Sequence, residues 1–369
     1  MIEAYQTVLK LIDAGLKEKN ISISELKITK VVARILKEQT FLPFLYKVTA
    51  EEKFKTFYFL SALYSEEIDN LTSLVKNLFD ANNIDHIFLK GTVIRKYYND
   101  PYLRMLGDVD VYINEHDLKK ATKILKNNGF KFLERCSHHL SFSYKNIEFE
   151  LHFHLIEVTN PFYEYFSKPF SHSQRQDHNT YSLDIEYHFV FIIVHYMKHL
   201  LEGGAGLRPL CDIYVLINKF NLDLTKIKNV FNQYKYTNFF NTILNMLDYV
   251  FSYHKYEYIK NEKTEELIEY TLKSGIHGFG KDNNKVKNKQ IAQSNSKIKY
   301  LFKLWFIPVK SLFAFYPWTK SIILIPLGYL FRLFHLIFKR QDKFKELMSN
   351  KNNDNKMQEL LIKTGVKYE

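Results

Sequence analysis

Two carboxylates one residue apart, Asp108-Val109-Asp110, lie downstream of a short apolar run that closes on Leu89-Lys90-Gly91-Thr92. Side chains alternate along a strand, so Asp108 and Asp110 project from one face. Two like charges held that close repel unless a cation sits between them. An acid pair on a strand is therefore a candidate seat for Mg²⁺, which takes oxygen ligands and shares them with substrate phosphates. The motif alone is common, and its context gives it weight. Ile84 to Leu89 reads as a strand, Gly91 as a tight turn and Val93 to Tyr98 as a helix, whose first N–H groups favour anions.

The chain has 369 residues, enough for two or three domains. Residues 1–80 read as helices: Tyr5, Val8, Leu9, Ile12 and Leu16 follow helical spacing. Ser22 with Glu25 forms a candidate capping box before Leu26, Val31, Val32 and Ile35, and Phe54 to Phe79 reads as a long amphipathic helix. Val109 to Ile113 reads as a strand, and Asn114 caps a helix that stops at Gly129. Leu140 to Tyr144 and Ile147 to Leu155 make a hairpin about Lys145-Asn146. On its second strand Ile147, Phe149, Leu151 and Phe153 face a core, while Glu148, Glu150, His152 and His154 face the other way. Four ionisable side chains on one strand face are unusual for plain structure and expected beside a metal, though a closed zinc site is disfavoured without cysteine. Helices resume at Ile185 and run to about Ser274. There His195, His199 and Asp212 suit packing and buried pairing, and Arg208 with Asp212 has the spacing of a helical salt bridge.

Composition narrows the partners. The formal charge of +12 favours a nucleotide, RNA or an anionic membrane, although a lysine-rich solvated surface is the plainer explanation of the charge alone. Two distant cysteines, Cys136 and Cys211, offer no disulfide framework, and Met1 to Tyr5 lacks the basic and apolar regions of a leader. A reducing, cytoplasmic setting is the expectation. Two apolar stretches occur, 301–318 and 321–338, the second interrupted by Arg332 and His335. They read as a buried helical hairpin, with peripheral membrane contact as the alternative, because a charge inside a span is costly.

Taken together, Leu89-Lys90-Gly91, Tyr97-Tyr98, Arg104, Gly107-Asp108-Val109-Asp110 and Glu150-Leu151-His152 resemble the bacterial uncharacterised nucleotidyltransferase family of the DNA polymerase β-like superfold. His195, Arg208 and Asp212, then Tyr316-Pro317, Pro326 and Arg332, extend the resemblance over most of the chain. Thr92 stands where that superfold more often has serine or glycine, and the spacing from Gly91 to Asp108 is longer than usual. The resemblance implies an α+β fold, a small mixed-sheet core flanked by N- and C-terminal helical regions. The implied divisions are a helical region 1–80, a catalytic domain 81–180, a helical domain 181–280, a polar linker 281–299, and an apolar hairpin with a charged tail 300–369.

The implied reaction moves an NMP from an NTP to an acceptor hydroxyl on a small molecule, a protein or RNA. Its cofactor is Mg²⁺ or Mn²⁺. Asp108, Asp110 and Glu150 would hold the metals, with Glu150 also a candidate base and Glu148 its competitor for third acid. Gly91 and Thr92 would admit the phosphates, and Lys90 and Arg104 would neutralise the triphosphate; Arg104 suits a buried carboxylate partner equally. The rivals are a toxin-like transferase acting on tRNA and a non-catalytic, membrane-associated accessory of a biosynthetic cluster. The sequence sets neither acceptor, nucleotide nor oligomeric state.

Overall fold

The computed structural model describes residues 2–252, 262–276, 278, 302, 305–339 and 355–366. Four helices open the chain: α1 (Ile2–Leu16), α2 (Lys30–Glu38), α3 (Leu42–Thr49) and α4 (Lys55–Asp80). The capping box expected at Ser22 is absent. Ser22 bonds the Ser24 hydroxyl instead, in a short 3₁₀ turn, and α2 is capped by Thr29, whose Oγ1 accepts from the Val32 N–H at 3.2 Å.

The mixed sheet forms from β1 (His86–Phe88), β2 (Asp108–Ile113), β3 (Lys131–Arg135), β4 (His139–Tyr144), β5 (Ile147–His152), β6 (Ser173–Asp177) and β7 (Thr180–Leu183), in the order β3-β4-β5-β2-β1-β7-β6. Helix α5 (Lys90–Ile94) follows β1 and α6 (Leu118–Asn127) follows β2. The β4–β5 turn places Lys145 and Asn146 at φ of 47° and 69°, the left-handed pair that matches strand twist in a two-residue hairpin. Neither β3 nor the β6–β7 pair shows in the sequence pattern. β3 and β6 are largely exposed strands at the sheet's two edges, and β7 beside β6 is mostly half-buried, so no fully buried face imposes an alternation.

One face of the sheet packs on α4 and α6. Ile68, Leu71, Val75 and Phe79 meet Val109, Val111, Phe149 and Leu151 in one apolar core with Ala121 and Leu125. A second, larger core joins α1–α3 to α7 (Ile185–Glu202), α8 (Arg208–Lys219), α9 (Leu224–Gln233), α10 (Thr237–Phe251) and α11 (Glu262–Ser274). Helix α7 is apolar on nearly every side because it lies inside this core. The acids of β2 and β5 fall on the sheet face turned away from α4 and α6.

Helices α12 (Val309–Phe315), α13 (Ile325–Lys339) and α14 (Asn355–Lys363) complete the described chain. The apolar hairpin expected to be buried is not. The segment carrying α12 is held at the end of β3, where the Arg135 Nε donates to the Ala314 carbonyl at 3.0 Å, and by Lys320 to Glu115 at 3.2 Å. Much of its apolar surface stays exposed. The polar stretch 281–299 lies outside the described residues.

Candidate active site

Strand register builds the site. β2 and β5 run parallel with Asp108 opposite Glu148, Asp110 opposite Glu150 and Tyr112 opposite His152. Paired residues in parallel strands share a face, so the two aspartates, Glu150 and His152 line one surface. Both Glu148 and Glu150 have the right parity. Glu150 reaches His152 and His139, whereas Glu148 lies at the exposed start of β5.

Lys90 closes this surface from the β1–α5 turn. Its backbone takes φ 48°, a left-handed conformation that costs a non-glycine residue energy. That conformation lets its N–H meet His188 Nε2 at 3.1 Å while its ammonium bonds Asp110 Oδ1 at 2.7 Å. Beside it, Gly91 fits because a Cβ there would strike Leu106 at 2.3 Å and lie 3.1 Å from the Arg104 guanidinium. A side chain at this position would have to push the Leu106 methyl aside. Thr92 is buried, and its hydroxyl has no hydrogen-bond partner among the described residues.

Histidines fill the rest. His152 Nε2 lies 2.9 Å from Asp110 Oδ1 and 3.1 Å from Glu150 Oε2. His139, opposite His152 across the hairpin, has Nε2 at 3.4 Å from Glu150 Oε1, and His138 packs on both rings. From α7 come His188, His195 and His199, spaced to share one side of the helix; the last two have their Nε2 atoms 2.7 Å apart.

The field follows from this crowding. Repulsion from Asp110, with burial, pushes the Asp108 carboxyl up to about 7. Burial would raise Glu150 too, but the His152 hydrogen bond and the Lys90 charge outweigh it and hold its carboxylate well below the usual range. Burial would lower Lys90, yet Asp110, Glu150 and Asp108 keep it above its ordinary value. Burial drives His139 down to about 4 and keeps its ring neutral.

Arg104 goes elsewhere. Its Nε and one terminal nitrogen each bond Asp212 at 2.7 Å in a bidentate buried pair, and the Tyr98 hydroxyl donates to the same carboxylate at 2.7 Å. Of the two sequence readings for Arg104, the structure gives the buried carboxylate pair. It also corrects the expected Arg208–Asp212 bridge, because Arg104 takes Asp212. Arg208 donates to the Met105 carbonyl at 2.9 Å and makes no ion pair among the described residues. Burial and the Arg104 charge lower it to about 10, and the charge of Asp108 acts on it.

The sequence-predicted residues Lys90, Gly91, Asp108, Asp110 and Glu150 therefore converge. His154 turns away, its ring against Phe153 and Tyr163. Sequence reasoning missed His138, His139 and His188. His139 was within reach of counting: outward from the Lys145-Asn146 turn, the residue opposite His152 is His139. His188 carried no such signal, because α7 meets β1 only in the fold.

A family model described as an uncharacterised nucleotidyltransferase matches residues 23–252. No curated protein and no solved structure matches the chain.

Proposed function

The chain belongs to the uncharacterised nucleotidyltransferase family, and from that membership we propose that it moves an NMP from an NTP to an acceptor hydroxyl using a divalent cation held by Asp108, Asp110 and Glu150. The observation that carries this reading is the β2–β5 register, which sets Asp110 opposite Glu150 with Asp108 on the same face. The donor set suits a divalent ion. Three carboxylates share one small surface, and Asp108 is pushed up because Asp110 is too close for both to ionise comfortably. A bound cation would stabilise charge on the attacking and leaving oxygens.

The chain's own groups supply the rest. The Lys90 ammonium, drawn to Asp110, is placed to meet phosphate oxygens entering over the turn. Arg208 takes the triphosphate role first given to Arg104, since its guanidinium is near Asp108 and outside the Asp212 pair. Arg104 positions the loop ahead of β2. Glu150, held as a carboxylate well below the usual range, suits a cation ligand better than a base.

The test incubates the full chain with each α-labelled NTP, Mg²⁺ or Mn²⁺, and separate small-molecule, protein and RNA fractions of a cell extract. Labelled product is expected in one fraction and absent with Asp108→Asn. Label that persists in that variant, or no label with any nucleotide, would sink the proposal. Label in tRNA alone would favour the RNA-directed reading.

A further inference from the structure

We propose that the cation site is completed by imidazole, with His152 and His139 joining Asp110 and Glu150, so that it selects a transition-metal cation of the Mn²⁺ or Zn²⁺ class over Mg²⁺. The inference rests on the nucleotidyl-transfer reading only for the site's purpose; the donor set is visible without it. Ligand atoms of Asp110, Glu150 and His152 lie within 4.8 Å of one another, and so do those of His138, His139 and His152. Contacts of 2.9, 3.1 and 3.4 Å link His152 and His139 to the two acids. Donors around one cation with bonds of ~2.1 Å stand ~3.0–3.4 Å apart, so His152 already stands near that spacing from both acids, while His139 reaches the set through Glu150 and the Lys90 ammonium on Asp110 Oδ1 has to give way.

Two features separate this from a plain hydrogen-bond cluster. His138, His139 and His152 are all buried, and the three rings bring their nitrogens within 4.8 Å of one another. Mg²⁺ prefers oxygen ligands and keeps its waters, whereas imidazole suits the later divalent metals. A wall of buried rings offers nitrogen where Mg²⁺ would need water.

The experiment strips the full chain with EDTA and titrates it with Mg²⁺, Mn²⁺, Zn²⁺ and Co²⁺ by calorimetry and, for Co²⁺, visible absorption. Mn²⁺ or Zn²⁺ should bind at least tenfold tighter than Mg²⁺. His152→Asn and His139→Asn should each lose about tenfold or more for Zn²⁺ and leave Mg²⁺ unchanged. Pulsed electron paramagnetic resonance of bound Mn²⁺ on the unmodified chain should show nitrogen coupling, a readout that survives any folding defect in the variants. Equal affinity for Mg²⁺ and Zn²⁺, or no nitrogen coupling, overturns the proposal. Failure of the transfer reading shows separately, as absent labelled product with an intact Co²⁺ spectrum.

A different observation carries a second inference. No Asp or Glu occurs between Asp282 and Asp342, a stretch with eleven Lys and Arg. Within it Ile322 and Ile323 are 83% and 86% exposed, and Leu327, Leu330, Phe331 and Phe334 form an exposed apolar stripe at helical spacing on α13. The reverse side of α13 is packed, with Gly328 pressed on Thr319 and Leu312. No helix among the described residues is long and apolar enough to cross a membrane. An apolar stripe on a segment whose own charged residues are all basic, with Lys310 and Lys320 facing Glu164 and Glu115, fits one partner best, and we infer that this face rests on an anionic lipid bilayer.

Co-sedimentation tests it. The full chain should pellet with phosphatidylcholine–phosphatidylglycerol vesicles, weakly with phosphatidylcholine alone, and less at high salt. Ile322→Glu with Ile323→Glu should reduce binding at least tenfold and leave the circular dichroism melt unchanged, since both side chains face solvent. No binding to anionic vesicles, binding unchanged in the double variant, or self-association through this face without vesicle binding overturns the inference.

Discussion

Asp108 shows what a candidate catalytic residue costs the fold that carries it. Its carboxyl is pushed up to about 7, so the native state holds this proton more tightly than the unfolded chain, whose pKa is near 3.8. The stabilisation from that proton is complete below the unfolded pKa and is lost as pH rises through about 7. Asp108→Asn should therefore stabilise the metal-free protein at pH 8 by roughly 2–4 kcal/mol, a gain that shrinks toward zero as pH falls from 7 to 4. Urea melts in EDTA across that range check it; equal stability at pH 8 would mean that Asp108 is not strained by Asp110. Asp212 should respond in the opposite sense. Asp212→Asn leaves the Arg104 guanidinium buried without its counter-charge, and unfolding free energy should fall by about 3–5 kcal/mol in the same melts.

At the level of strands, the third acid is a question of which neighbour of the same parity reaches inward. Glu150→Gln should weaken cation-dependent nucleotide binding at least tenfold, while Glu148→Gln should change it less than about twofold, measured by calorimetry. The reverse result would move the site by two residues along β5. Much of this was legible in the sequence, because strict alternation from Ile147 to Phe153 can only come from a strand with one buried face. The β2 acids were legible for the same reason, whereas the turn expected at Gly91 is made by Lys90, at φ 48°, with Gly91 already inside α5. The edge strands were not, since an exposed strand has no face to conceal. Nor was the partner of Asp212: helical spacing offers Arg208, and only packing of α8 against the loop ahead of β2 brings Arg104 closer. The C-terminal stretch misled because apolar content says that a side chain avoids water, without saying what it meets.

For the molecule as a whole, the central sheet serves two cores, one beneath α4 and α6 and one around α7, and the acids lie between them. A ligand seated there braces both. An NTP with a divalent cation at about a hundred times its dissociation constant should stabilise the fold by about 2.7 kcal/mol. In a scanning calorimeter that is a rise in Tm of a few degrees, removed by EDTA. A rise that persists in EDTA would place the nucleotide away from the acids.

Arg104 and Asp212 stand 108 positions apart in the chain, yet each is the other's buried counter-charge. Heredity has to treat them as one unit. A crossover falling between them, joining the strands of one lineage to the helices of another, hands the offspring a guanidinium or a carboxylate sealed from water with no mate unless both parents already share the pair. Such chimaeras should start about 3–5 kcal/mol short of the parents' stability. The loop ahead of β2 and helix α8 can therefore be exchanged between relatives only as a matched pair.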